Sequence, residues 1–143
     1  MSNSVFTKIR LGEMPGEVLY SDDTCFVILS ITPNNPGHML LIPIEEVADW
    51  QEIKPEVFSY MMGLAQKLGK IIKSIYNPPK IGLSCVGFEV PHVHIHIFSL
   101  FQIGDIDHGK AQVGQHRVAP LQDAADHADA RAMERVDQRH EGL

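Results

Sequence analysis

His92-Val93-His94-Ile95-His96-Ile97-Phe98 is the stretch on which the reading of this chain turns. Side chains on a β-strand alternate between its two faces. His92, His94 and His96 therefore share one face, and Val93, Ile95 and Ile97 share the other. The apolar set needs a core, which leaves the imidazoles lining a cleft or a polar layer. With 8 histidines in 143 residues, chance would produce such a triplet about 0.02 times, so a chemical role is the better account. Three imidazoles on one face repel when protonated, and they call for a shared anion, metal or catalytic task. Zinc would need the rings to converge on one point. The first and last rings of the row start about 13 Å apart at a strand rise of about 3.3 Å per residue, too wide for one ion. A metal on His94 and His96 alone stays open. A phosphate group held along the row tolerates the spread: one histidine attacks phosphorus, and its neighbours supply protons and positive charge to the oxygens.

Working outward, Val86-Gly87-Phe88-Glu89-Val90-Pro91 forms the approach to the triplet, and Gly87 permits a backbone turn whose amides can face an anion. Residues 17–20 and 24–30 are predicted to be strands joined by the turn Ser21-Asp22-Asp23. The turn-rich Thr32-Pro33-Asn34-Asn35-Pro36-Gly37 leads into a third strand at 38–43. Val57, Met61, Leu64, Leu68, Ile71 and Ile75 recur at spacings of one helical face. Pro55 suits the first turn of that helix and Asn77-Pro78-Pro79 its end. Strands at 80–86 and 92–100 complete the core. One long helix among strands without regular β-α-β alternation predicts an α+β fold with an antiparallel sheet.

Composition narrows the function classes. Twelve basic against eighteen acidic residues give a formal net charge of −6, which argues against nucleic acid or an anionic membrane as partner and leaves room for a small anion in a local pocket. No apolar run approaches the roughly 20 residues of a membrane helix, and residues 1–10 hold no secretory apolar block, so a cytoplasmic location is expected. Cys25 and Cys85 lie in apolar strand-like runs and are expected to be buried free thiols. Lys67, Lys70 and Lys73 read as an exposed helix face. Beyond Pro120 the chain is alanine- and charge-rich, with Leu121, Ala125, Ala128, Ala132 and Val136 as the apolar stripe of a loosely docked helix. His108, His116, His127 and His140 of the tail have no partner pattern and are expected to be solvated.

The segment from His92 to Phe98 resembles the signature of the histidine triad (HIT) family of nucleotide hydrolases and transferases, His-φ-His-φ-His-φ-φ with φ apolar, at every position. Pro36-Gly37-His38-Met39-Leu40-Leu41-Ile42-Pro43 is similar to that family's Gly-His-φ-φ-φ-φ-Pro strand, and the segment from Phe6 to Pro15 also resembles it. The resemblance spans about residues 4–110, which sets a domain at 1–110 and a tail at 111–143. It implies a HIT-like fold: a five-stranded antiparallel sheet with one long and one short helix, the tail helix being an addition. It implies a homodimer, a purine nucleotide substrate and no cofactor.

By the same resemblance His94 is the nucleophile that takes up a nucleotidyl group, and water then releases the nucleoside monophosphate. His92 and His96 bind or protonate phosphate oxygens and the leaving group, with His38 packed behind them. Val5, Phe6, Ile9, Ile28 and Ile31 match positions that enclose the base, although an ordinary core would show the same apolar pattern. Gly87, Phe88 and Glu89 fall on the phosphate or leaving-group side. Phe88 stands where the family has an amide side chain, Ile81 where it has Asn or Gln, and Ser30 where an Asp or Asn holds the ribose. Ser4 and Thr7 occupy the positions of a zinc-binding Cys-x-x-Cys found in some branches, so no metal is expected. The activity implied is hydrolysis of nucleoside 5′-phosphoramidates or related conjugates. A dinucleoside polyphosphate hydrolase and a nucleotide-binding sensor are the alternatives.

Overall fold

The computed structural model describes residues 3–106. Five strands, β1 (Val18–Ser21), β2 (Cys25–Leu29), β3 (Met39–Pro43), β4 (Lys80–Ser84) and β5 (Ile95–Leu100), form one sheet in the order β1-β2-β3-β5-β4. Every neighbouring pair is antiparallel. A short helix α1 (Val5–Arg10) precedes the sheet, and a 22-residue helix α2 (Pro55–Tyr76) links β3 to β4. This is the α+β architecture expected of one long helix among strands without regular β-α-β alternation. The helix expected of the tail and the four tail histidines fall outside the described residues. Among the described residues no helix is long and apolar enough to cross a membrane.

The central strands are buried on both faces, and the alternation of their side chains makes two cores. Cys25, Val27, Leu29, Met39, Leu41, Ile95 and Ile97 pack against Met61, Leu64, Ala65, Leu68 and Ile72 of α2. Phe26, Ile28, Leu40 and Ile42 point the other way and meet Phe6 and Ile9 of α1. His96 pairs with Leu40 across the β3–β5 ladder, and Leu40 with Ile28, so His96 shares the α1 face. Ile95 and Ile97, the apolar residues that alternate with His96, thus face α2, as the period of two requires.

Pro55 opens α2 where its missing amide costs nothing, and Asn77, at φ 47°, closes it with its N–H on the Lys73 carbonyl. The buried stripe uses Ile72, with Ile71 only partly buried, because 3.6 residues per turn carry a long helix's contact line sideways. Lys67 is half-buried while Lys70 and Lys73 are exposed, and the Lys73 ammonium reaches the Pro78 carbonyl. Both cysteines are free. Cys25 is fully buried but Cys85 only partly, since β4 ends at Ser84, and burial pushes both thiols up. Asp22 receives the backbone N–H groups of Thr24 and Cys25 at 2.8 Å and both the Tyr20 and Tyr60 hydroxyls, tying the first hairpin to α2. Burial, then Asp22, pushes the Tyr60 hydroxyl up to about 12.

The β2–β3 connection turns at Gly37, whose φ is +83° and whose Cα faces the Tyr76 ring so closely that a Cβ would lie 2.4 Å from it. Gly37→Ala combines left-handed strain with this clash and is expected to cost about 2 kcal/mol or more, read as a lowered urea midpoint at unchanged slope.

Candidate active site

The strand carrying the triplet begins later than its sequence suggests: β5 starts at Ile95, and His92 and His94 lie just ahead of it. Their backbone groups are spent elsewhere. The His92 N–H donates to the Val90 carbonyl at 2.8 Å and the Val93 N–H to the Val47 carbonyl at 2.8 Å. The chain therefore curls before it enters the ladder, and the His92 carbonyl is left for a side chain.

That side chain is His94, whose Nδ1 lies 2.8 Å from the His92 carbonyl oxygen. A carbonyl only accepts, so Nδ1 carries the proton and neutral His94 keeps its lone pair on Nε2. The ring is 7% exposed, packs on Phe6 with centroids 4.8 Å apart and meets His96 edge-on at 5.2 Å. The same logic assigns the next pair. The Asn34 backbone N–H donates to Nδ1 of His38 at 3.0 Å, so the His38 proton sits on Nε2. His38 Nε2 then donates to Nδ1 of His96 at 2.9 Å, which leaves the proton of neutral His96 on Nε2. One ring presents a lone pair and its neighbour an N–H.

His92 is different. Its ring is fully buried, and both nitrogens are engaged: Nε2–H donates to the Pro43 carbonyl at 2.7 Å, and Nδ1 receives the Ser4 hydroxyl at 2.5 Å. Its ring has no nitrogen left for a phosphate oxygen. Its part in the site is the backbone carbonyl beneath His94. Burial holds its pKa below the usual histidine value, with the positive fields of His94 and Arg10 adding to the effect and the Pro43 carbonyl and Glu46 opposing it.

The remaining expected positions divide. Phe6, Ile9 and Ile28 are buried members of the α1-side core, and Phe6 also walls the His94 ring. Ser30 sits at the rim of that face, its N–H on the His38 carbonyl and its hydroxyl accepting from the Thr32 N–H. Ile31 and Phe88 are 79% and 95% exposed, and Glu89 is exposed, so these three project outward and do not line a closed pocket. Gly87 does take the backbone conformation expected of it, with φ +76°.

Sequence reasoning missed the residues that support the rings. Asn34 and Asn35 are buried and donate through their amides to the Asp105 carbonyl at 2.6 Å and to the Ser99 carbonyl and Asp105 carboxylate at 3.0 and 2.9 Å. On the other flank Glu46 Oε1 receives the Ser4 N–H at 2.5 Å and the Thr7 hydroxyl at 2.7 Å. These hydrogen bonds lower the Glu46 carboxyl below its ordinary range, the Ser4 amide contributing most. Turn-rich composition at 32–37 was the only sequence signal for the first group, and nothing marked Glu46.

The positions of the family's Cys-x-x-Cys do not fit zinc. Two neutral hydroxyls, Ser4 and Thr7, replace thiolates and are bound to His92 and Glu46, and among the described residues no cluster of three or more His, Cys, Asp or Glu could hold a metal.

The HIT domain model matches residues 11–103. The chain belongs to the HIT domain family. It is 32% identical over 101 residues to adenylylsulfatase HINT3 of Arabidopsis thaliana, and 26% identical over 99 residues to the AP-4-A phosphorylase of Mycobacterium tuberculosis. These alignments cover 67% and 64% of this chain but only 51% of each relative, so the chain spans about half the length of either. The fold resembles the crystal structure of a zinc-bound histidine triad family protein from Mycobacterium smegmatis, with TM-score 0.72, 23% identity and coverage of 94% and 96% of the two chains.

The depressed His92 pKa sets a pH dependence of this HIT domain's stability. Below about pH 6.5 the unfolded chain takes up a proton that folded His92 resists, so stability is full above that pH and falls as pH drops toward the folded value. Denaturation midpoints measured from pH 7.5 to 5 should decline, and the decline should be shallower in His92→Asn.

Proposed function

We propose that the protein hydrolyses nucleoside 5′-phosphoramidates or related nucleotide conjugates through a nucleotidyl-His94 intermediate and releases a nucleoside monophosphate. The observation that carries this reading is the pairing of opposite tautomers on adjacent rings, a lone pair on His94 Nε2 beside an N–H on His96 Nε2. In the first step the His94 lone pair forms an N–P bond while the P–N bond of the substrate breaks, and the departing amine takes a proton from solvent. In the second, water attacks phosphorus, the N–P electrons return to Nε2, and the water proton passes to solvent. Splitting the displacement replaces one hard step with two easier ones.

His96 acts in this scheme as a hydrogen-bond donor to a phosphoryl oxygen as charge builds there. The relay from the Asn34 N–H through His38 to Nδ1 of His96 orients that ring for polarising an oxygen. Phe6, beside His94, would form the inner wall of the nucleotide site, with Ile31, Phe88 and Glu89 at its outer rim.

The reading is tested with purine nucleoside phosphoramidates and EDTA-treated protein. Release of monophosphate by wild type, reduced at least about 10³-fold in His94→Ala, is expected. Full turnover in that variant would end the proposal. The AP-4-A phosphorylase among the relatives makes dinucleoside polyphosphates the natural comparison in the same panel, and the ratio of the two rates reports leaving-group preference. Tight monophosphate binding without turnover would move the assignment to a sensor.

A homodimer belongs to this reading. Among the described residues the edge strand of the sheet next to β5 is β4, and Leu83 on it and Val86 just past it are 52% and 66% exposed. An exposed apolar edge strand is a template for pairing with a second copy. Leu83→Lys is expected to shift the chain from dimer to monomer in sedimentation; a monomeric wild type contradicts it.

A further inference from the structure

We propose that Glu46, an exposed residue of the turn after β3, is a positioning residue that sets the tautomer of His94 by clamping the peptide unit between His92 and Val93. The inference rests on the nucleophile reading above. That peptide unit is held from both sides. Its carbonyl accepts from His94 Nδ1 at 2.8 Å, and its N–H donates to the Val47 carbonyl at 2.8 Å. Rotating the unit by even a few tens of degrees would misalign both bonds, since hydrogen bonds weaken steeply away from linearity. The question is what keeps Val47 and His92 in place.

Glu46 answers for both. It adjoins Val47 in the chain, and its Oε1 is fixed by the Ser4 N–H at 2.5 Å and the Thr7 hydroxyl at 2.7 Å. The turn that offers the Val47 carbonyl is thereby tied to the start of α1. Ser4 in turn caps α1, its hydroxyl oxygen accepting from the Thr7 N–H at 3.2 Å, and spends its single hydroxyl proton on His92 Nδ1. The imidazole is then locked at both ends, by Ser4 and by Pro43. Glu46 lies 3.9 Å from His92 Nδ1, so it acts on that ring through Ser4 and not by direct bonding. Ser4, Thr7 and Glu46 thus do with hydrogen bonds, at positions unfit for zinc, what a tetrahedral ion could do with thiolates.

The claim separates acceptor geometry from charge. Glu46→Gln keeps a carbonyl oxygen for Ser4 and Thr7 and is expected to stay within about twofold of wild-type kcat, whereas Glu46→Ala should lower kcat about tenfold with little change in KM. The readout that a merely structural role would not move is the ¹⁵N imidazole spectrum of uniformly labelled protein. Wild type and Glu46→Gln should show His94 as a single Nδ1–H tautomer, and Glu46→Ala a mixture. Ser4→Ala should reproduce the mixture and Ser4→Thr should not, which keeps the test alive if the alanine at 46 fails to fold. An unmixed His94 tautomer with unchanged kcat in both alanine variants overturns the inference, as does a Glu46→Gln protein as impaired as Glu46→Ala. Failure of the nucleophile reading is distinguishable, because it would appear as absent turnover in wild type with the spectral responses intact.

Discussion

The hydrogen bond from His94 Nδ1 to the His92 carbonyl is the constraint on which the rest of the site depends. It decides which nitrogen of His94 faces outward with a lone pair, and it exists only because β5 begins at Ile95 and leaves that carbonyl outside the ladder. In a regular antiparallel strand running through 92–100 the same carbonyl would be spent on a neighbour or aimed along the sheet. Delaying the strand by three residues costs ladder bonds, and the Val90 and Val47 carbonyls recover them by accepting from His92 and Val93. The departure from ideal strand geometry and the chemistry of the ring are one feature.

A parallel arrangement governs the other ring. The loop at 30–38 must deliver the Asn34 N–H to His38, and it is held there by buried amides of Asn34 and Asn35 reaching Ser99 near the end of β5 and Asp105 beyond it. Asp105 is anchored in turn by the N–H groups of Phe101 and Gln102. Burial raises its carboxyl, but those donors and Asn35 outweigh it and hold the group below the usual carboxylate range. Each working nitrogen is therefore backed by a chain of fixed donors and acceptors from segments distant in sequence. Preorganised dipoles of this kind need no rearrangement when charge develops on a substrate, which is how a fold with few charges at its centre can act on an anion.

How far the sequence discloses this follows from the range of each interaction. The faces of the triplet, the two-sided burial of β2 and β3 and the register of α2 are consequences of local period, and they are legible from Cys25 to Leu29 and from Met61 to Ile72 before any contact is known. The start of β5 was not legible, because Val93 continues the alternation perfectly while its amide leaves for Val47. Phe6, Ile9 and Ile28 could be read equally as pocket or core; they lie buried in the α1-side cluster, and the Phe6 ring also packs on His94. Glu46 carries no signature at all, since an acidic residue in a turn ordinarily means solvent.

The three departures from the resemblance, at Ser30, Phe88 and Ile81, now acquire a physical sense. Ser30 keeps its backbone duty to His38 while offering a single hydroxyl where the resemblance expects an Asp or Asn, so the loop geometry survives the change. Phe88 presents an exposed ring where an amide would hydrogen-bond. Ile81 faces Ser99 across the β4–β5 ladder, is partly buried against the α2-side core and contributes no polar group. None of the three side chains takes part in the bonds that set the tautomers of His94 and His96. Divergence at these positions can therefore alter what the site grips while the nitrogens that would do the chemistry stay as they are, because those nitrogens are supported from elsewhere, by backbone atoms of Pro43, Val47 and Asn34 and by the side chains of Ser4 and Glu46.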